Sequence, residues 1–454
     1  MHYAVVTFGC RVNQADSLRL EEDLRARGWT DRPSSEADLV IVNTCSVTAT
    51  ADQGARQTIR RIARENPRAK IVATGCYATR CPDEVASLPG VVRVVRNAEK
   101  LELVRTLGAS GASDPRERSG AGAPASERVG EFEGRSPSIE IEPGVAGRTA
   151  FTLRVQTGCE EGCTYCIIPT TRGRSRSLEP QAIMREVQRI ASAGFKEIAL
   201  TGVHLGSYGR DLEPASSLLE LLRALDGIDS DVRFRISSLE PMDCPPALVD
   251  LVAGSDRFQP HFHLPLQHAS DRLLRSMGRP YRLDDYRRLI DRVAVSLPDA
   301  SIGSDMIVGF PGETDRDFAA NLDYLPSSPL THLHVFPYSD RPGTPASRMA
   351  GKVNGSIVRE RASSLRRVGA DLTRRFHGAQ IGSVRAGLTL EDGTLVVTDN
   401  YLKVRIPPGL PRNVRVRVRV TGEGAAELVS IDASIRPTSD ARGAARETAA
   451  PPIR

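Results

Sequence analysis

No uninterrupted apolar run in these 454 residues approaches the ~18–20 needed to cross a bilayer, so a membrane span is not expected. The first residues, Met1-His2-Tyr3-Ala4-Val5-Val6, lack the basic region, long apolar stretch and cleavage site of a secretion signal. A cytoplasmic protein is therefore expected. Strong charge imbalance is missing too. The 61 Lys+Arg against 56 Asp+Glu leave +5, which permits a nucleic-acid partner without requiring one. There is no Gly-x4-Gly-Lys-Ser/Thr phosphate loop, no zincin motif and no hydrolase elbow. Those absences argue against three common kinds of catalyst.

What is present is a soluble globular composition, 40% hydrophobic and 26% charged, long enough for about three domains. In a reducing compartment, eight cysteines are better explained as ligands or catalysts than as disulfides. Three are crowded together in Cys159-Glu160-Glu161-Gly162-Cys163-Thr164-Tyr165-Cys166, just after an apolar β-branched run. Thiolates select iron–sulfur clusters, zinc or Cu(I). Structural zinc wants four ligands and a closed shell. Three thiolates suit an iron–sulfur cube whose fourth iron stays open, and this reading is preferred to zinc or a purely structural role.

The first region alternates strands (near 3–8, 39–42, 70–73 and 91–95) with helices (15–27 and 57–65), which predicts a parallel sheet with helices on its faces. The first three strands close with Phe8-Gly9-Cys10, Asn43-Thr44-Cys45 and Thr74-Gly75-Cys76. Ligands of open α/β sheets gather beyond the carboxyl ends of the strands, so these cysteines should meet at one edge. Three buried cysteines are the plainer alternative. Their equivalent placement makes a second three-thiolate cluster the better reading. Cys81 and Cys244 have no such placement and are expected to be structural.

Residues 108–147 are rich in Gly, Ala, Ser and Pro without periodicity and are expected to be a flexible linker. Six strand–helix units follow, with strands near 151–155, 197–201, 233–237, 261–266, 301–308 and 332–336. They predict a partial or full β/α barrel with its chemistry at the C-terminal strand ends. The cysteine loop after residue 155 falls at that end. So do Gly202, Ser237, Gln267, Gly309 and Glu313, which offer close backbone approach or polar groups to a ligand. A helix over 358–376 precedes short alternating strands near 383–390, 394–398, 401–406 and 414–420, a small β-barrel pattern. Residues beyond about 436 read as a disordered tail.

These residues resemble the radical S-adenosylmethionine (SAM) methylthiotransferase family over nearly the whole chain. The resemblance rests on the two cysteine triplets, on Phe8-Gly9-Cys10-Arg11-Val12-Asn13-Gln14 and on Ile307-Val308-Gly309-Phe310-Pro311-Gly312-Glu313-Thr314. It implies an α/β chain: an N-terminal open parallel α/β domain (1–107), a radical-SAM partial β/α barrel (148–378) and a TRAM-like RNA-binding β-barrel (379–435). Cys159, Cys163 and Cys166 are then ligands of the radical-SAM 4Fe–4S cluster, and Cys10, Cys45 and Cys76 ligands of an auxiliary 4Fe–4S cluster. SAM serves as radical source and methyl donor. Tyr165, Gly202, Ser237, Gln267, Gly309 and Glu313 are expected around it. Thr201-Gly202-Val203-His204-Leu205-Gly206-Ser207-Tyr208-Gly209 and His334-Val335-Phe336-Pro337-Tyr338-Ser339 are most similar to the threonylcarbamoyladenosine branch, which adds a methylthio group to adenine C2 at position 37 of tRNA. Its implied partners are a tRNA anticodon stem-loop and a small electron-donor protein. The alternatives are isopentenyladenosine 37, a ribosomal-protein Asp, or an iron–sulfur carrier or scaffold. One departure stands out: His268-Ala269 follows Gln267 where the family has Ser-Gly.

Other signals are weaker. His261 with His263, and His332 with His334, share strand faces by the period of two, which suits interior packing better than a metal pair. Arg172, Arg174 and Arg176 beside the cysteine loop suit RNA phosphate, SAM or plain ion pairs. Arg415, Arg417 and Arg419 alternate with Val, giving either a phosphate-contacting or a solvated strand face.

Overall fold

The computed structural model describes residues 1–107, 141–144 and 149–432. Most of the expected linker and all of the expected tail lie outside the described residues. Ile141 is buried in the barrel core and Gly144 accepts a bond from Arg412, so this part of the expected linker packs against the protein.

In the first region the chain forms β1 (His2–Thr7), α1 (Arg11–Ala26), β2 (Thr30–Asp31), β3 (Leu39–Thr44), α2 (Ala49–Glu65), β4 (Lys70–Gly75), α3 (Cys76–Arg80), α4 (Pro82–Ala86), β5 (Val91–Val95) and α5 (Leu103–Leu107). The sheet is parallel, in the order β2-β1-β3-β4-β5. Every residue of β3 is buried, as befits a central strand covered on both faces. Its alternation sends Leu39 and Ile41 toward Leu20 and Leu24 of α1, and Val40 and Val42 toward Ile59 and Ile62 of α2. Truncating Ile41 to Ala would open a cavity costing about 2–5 kcal/mol. Thr7 pairs with Asn43 and Asn43 with Thr74, so β1, β3 and β4 end in line.

The second region runs β6 (Phe151–Arg154), β7 (Gln156–Thr157), α6 (Ile168–Arg172), β8 (Arg176–Ser177), α7 (Pro180–Ser192), β9 (Glu197–Thr201), α8 (Leu218–Asp226), β10 (Arg233–Ile236), α9 (Pro246–Gly254), β11 (His261–His263), α10 (Asp271–Ser276), α11 (Leu283–Ser296), β12 (Ser301–Val308), α12 (Asp315–Tyr324), β13 (His332–Pro337) and α13 (Gly355–Gln380). Six parallel strands form two three-stranded sheets, β6-β9-β10 and β11-β12-β13. Bonds from Phe234 N to Arg257 O (2.7 Å) and Leu239 N to His263 O (2.9 Å) continue the wall between them. This is the expected partial barrel. Its helices are amphipathic for the usual reason: α7 buries Ile183, Val187 and Ile190 at helical spacing.

The last region is a closed barrel of β14 (Val384–Leu390), β15 (Leu395–Thr398), β16 (Lys403–Arg405), β17 (Arg415–Gly422) and β18 (Ala425–Ile431). Val416, Val418 and Val420 fill its core while Arg417 and Arg419 face outward. β18 was not expected. Only Ala426 of its residues is buried, so it carries little alternation to read.

Candidate active site

The loop after β7 is fixed before any ligand is considered. Gly158 has φ +77°, and a Cβ there would lie 1.8 Å from Arg174 O, so only glycine fits. Cys159 N donates to Gly173 O (3.0 Å), Thr164 N to Met277 O (3.0 Å) and Ala346 N to Thr164 O (2.8 Å). Three segments far apart in sequence thus hold the loop. Burial and the neighbouring Cys163 and Cys159 push the Cys166 thiol up to about 12, because three thiolates so placed repel one another. A cationic metal core removes that penalty and draws the protons off. The sulfurs fit an iron–sulfur cluster.

Two cations sit beside these sulfurs. Arg279 donates to Cys163 Sγ (3.2 Å) and to Tyr281 Oη (3.0 Å), and it pairs with Glu240. His204 Nε2 lies 2.6 Å from Asp243 Oδ2. Burial alone would lower the His204 pKa, but hydrogen bonds to Asp243 and Cys159, with their charges, raise it to about 10.

The second triplet meets at the edge of the N-terminal sheet. Gly9 (φ +92°) leaves room for Cys45, whose Sγ would be 2.6 Å from a Cβ at that position. Asn13 Nδ2 donates to Phe8 O (2.8 Å) and Thr44 O (2.9 Å), tying two of the three cysteine turns together. Thr44 Oγ1 reaches Thr74 O (2.6 Å) and ties in the third. Burial raises the Cys45 thiol to about 11, with Cys10 and Cys76 adding to the effect. The chemistry is that of the first triplet. Cys244 lies in the barrel core and Cys81 packs beside Tyr77 and Val85, apart from either group.

A short wall joins the triplets. Helix α6 leaves Cys166 almost at once, and Thr171 O accepts from Asn97 Nδ2 (2.9 Å), which also lies 3.6 Å from Cys76 Sγ. Next to it, Arg172 and Lys100 converge on Asp16 at 3.2 and 2.9 Å, with Arg154 completing the group. Burial would raise the Asp16 carboxyl, but the charges of Lys100, Arg154 and Arg172 hold it well below the ordinary carboxylate range. Farther round, Arg341 donates to Asp52 Oδ2 (2.9 Å) and Ser46 O (2.7 Å), clamping the barrel's last loop beside Cys45. Asn97, Asp16, Lys100 and Arg341 carried no sequence signal, because each acts on a residue distant in the chain.

The other expected residues stand as follows. Tyr165 packs with Leu273, Met277, Ile307 and Phe310 beside the first loop. Gly202 is crowded by Gln156, whose Oε1 would be 2.9 Å from a Cβ and accepts from Val203 N and His204 N. Ser237 Oγ is buried without a partner, as a site for a polar ligand requires. Gln267 has φ +70° and is bonded through its backbone to Asp305 and Ile307. Gly309, at φ +78°, packs against Val358. The Glu313 carboxylate is taken up within the protein by Gly309 N, Arg361 and His268. His268 is fully buried and also meets Asn321 (3.0 Å), so the departure after Gln267 builds an internal brace.

Of the arginines, Arg172 is buried on Asp16, Arg174 forms an exposed pair with Glu160, and Arg415 clamps the β-barrel to Asp231 and Lys196 O. His261 packs its ring against Tyr401 from the β-barrel in a tilted arrangement (4.8 Å), and the Tyr401 hydroxyl accepts from Arg11. His332 Nδ1 lies 3.0 Å from Thr331 Oγ1, and burial lowers its pKa to about 4.

Comparison with known proteins agrees with this geometry. Residues 2–96 match the family described as "Uncharacterized protein family UPF0004" and residues 153–325 match the Radical SAM superfamily. The threonylcarbamoyladenosine tRNA methylthiotransferase of Thermotoga maritima is 37% identical over 87% of this chain and 89% of its own length. The chain belongs to the radical SAM methylthiotransferase family. Its counterpart from Bacillus subtilis is 33% identical over 88% of each chain. A tRNA-2-methylthio-N(6)-dimethylallyladenosine synthase from Parafrankia is 33% identical over 84% of this chain and 76% of that one. In fold, a radical S-adenosylmethionine methyltransferase from Kitasatospora setae superposes with a TM-score of 0.54 at 18% identity, over 76% of this chain and 73% of that one. This methylthiotransferase is accordingly a SAM-dependent iron–sulfur enzyme. No helix among its described residues is long and apolar enough to cross a membrane.

Proposed function

We propose that this methylthiotransferase attaches a methylthio group to C2 of N6-threonylcarbamoyladenosine at position 37 of tRNA. The observation that carries the chemistry is the bridge between the segments of the two cysteine triplets, in which Asn97 joins Thr171 of α6 to Cys76. It supports a hydrogen-abstracting centre and a sulfur-donating centre working on one substrate atom. Relatives with that nucleoside in their names reach 37% identity, against 33% for the Parafrankia synthase.

Adenine C2–H is neither acidic nor open to nucleophiles, so a proton-transfer route has no purchase on it. When bound to Cys159, Cys163 and Cys166 and to Cys10, Cys45 and Cys76, two clusters with SAM supply one-electron cleavage, hydrogen abstraction and sulfur delivery. The residues of the chain do the rest. Arg279 and His204 donate to ligand sulfurs and offset their negative charge. Tyr165, Gly202, Ser237, Gln267 and Gly309 line the SAM position, and Glu313 shapes the Gly309 turn. Asn97 and Arg172 fix the separation of the two centres. The outward Arg417 and Arg419 are suited to tRNA phosphates, and a small reducing protein supplies the electrons.

The test is nucleoside mass spectrometry of tRNA from a deletion strain. Threonylcarbamoyladenosine is expected to persist without its methylthio derivative. Loss of the methylthio isopentenyl nucleoside instead, or an unchanged profile, would overturn the assignment.

A further inference from the structure

The structure assigns a second kind of metal site to this chain: His263, Asp305 and His334 are placed to hold one divalent transition-metal ion, separate from both cysteine triplets. They come from β11, β12 and β13, brought together by parallel register that pairs Asp305 with His334 and His263 with Gly303. His263 Nε2 lies 3.0 Å and His334 Nδ1 3.1 Å from the same oxygen, Asp305 Oδ1. All three ligand atoms fall within 4.8 Å of one another. Ligand atoms about 2.0–2.2 Å from a common ion are spaced by roughly 3 Å, so these separations suit a shared ion.

A second observation separates this group from an ordinary hydrogen-bonded cluster. His263 Nε2 is buried and makes no hydrogen bond, although it is 3.0 Å from the carboxylate oxygen. Among the described residues Asp305 is its only close polar neighbour, at ion-pair distance, so the ring nitrogen has room for a further partner. The opposite nitrogen, Nδ1, is 3.0 Å from Ser238 Oγ, the outer hydrogen bond that commonly orients a metal-bound imidazole. His332 lies in the same layer but is committed elsewhere, with Nδ1 on Thr331 and its ring over Gly303. Two imidazoles and one carboxylate select a borderline ion such as zinc(II) or iron(II) over calcium or magnesium. The His334 side chain is 56% exposed, so a side of the site is open, and three protein ligands leave a position for an oxygen ligand.

Untagged holoenzyme with both cysteine triplets loaded, cleared of loose metal by a chelator, is titrated calorimetrically with zinc chloride under anaerobic conditions. One saturable equivalent is expected, weakened by at least about tenfold in His263→Ala and in His334→Ala. His332→Ala is expected to bind as the parent does. His334 is exposed, so its variant should fold, and unchanged iron content checks this. Absence of saturable uptake by the parent overturns the assignment. So does parent-like affinity in His334→Ala, or an equal loss in His332→Ala. Zinc uptake is read without tRNA, so its failure leaves the methylthiolation assignment untouched.

Discussion

Asp16 is where the N-terminal domain and the barrel are most dependent on each other. Its side chain is 2% exposed, and those of Lys100 and Arg172 are 3% exposed, with Arg154 at 16%. Replacing it by Asn keeps the shape and removes the carboxylate on which Lys100, Arg154 and Arg172 converge, leaving two buried cations short of their main partner. Breaking a buried pair from one side costs about 3–5 kcal/mol. Against that stands Glu160, paired with Arg174 on the surface at 53% and 88% exposure. Glu160→Gln makes the same change of charge but should have little effect, since solvent screens the exposed pair. Thermal unfolding of the iron-loaded enzyme should therefore show Asp16→Asn falling by roughly 10 °C and Glu160→Gln by a few degrees at most. The pH dependence has a definite sign. Asp16 is held below its unfolded pKa of about 4, so its stabilisation is present above that pH and lost as the pH falls further. The gap between parent and Asp16→Asn should narrow below about pH 4. Equal shifts for the two variants at neutral pH would refute the reasoning.

Cys159→Ala is expected to abolish 5′-deoxyadenosine production from SAM, and an unaltered rate in the reconstituted variant would rule out the assigned ligand. Cys45→Ala should still cleave SAM yet form no methylthio nucleoside, measured by mass spectrometry of the tRNA product. Arg279→Ala removes a cationic donor 3.2 Å from Cys163 Sγ, so the cluster held by that triplet should become harder to reduce in an EPR-monitored redox titration. Arg417→Gln combined with Arg419→Gln should weaken tRNA binding and reduce the slope of log affinity against log salt by about 1–2. An unchanged slope would mean that the outer face of β17 does not meet phosphate.

Much of this architecture is legible in order along the chain. The unbroken buried run of β3, helical spacing in α7 and Val/Arg alternation in β17 are local patterns, set by the geometry of each element. β18 escaped because its exposed side chains show almost no alternation. Within the stretch expected to be a linker, Ile141 packs in the barrel core. The histidine pairs on β11 and β13 were correctly placed on shared faces. That they meet around Asp305 depends on strand register, which neither strand contains by itself.

The cysteine triplets belong to the sequence. Their spacing and their position after strand ends select a soft metal centre through thiolate chemistry, and family resemblance follows from the motifs around them. Which loops press those thiols together was decided by tertiary structure alone. So was the use of Asn97 as a link between domains and of Asp16 as the carboxylate on which three cations converge. The physical reason is the same in each case. A residue's type fixes what it can donate, accept or ligate, but burial and charge are properties of its surroundings. For Asp16 and Asn97 those surroundings come from segments far away in the chain.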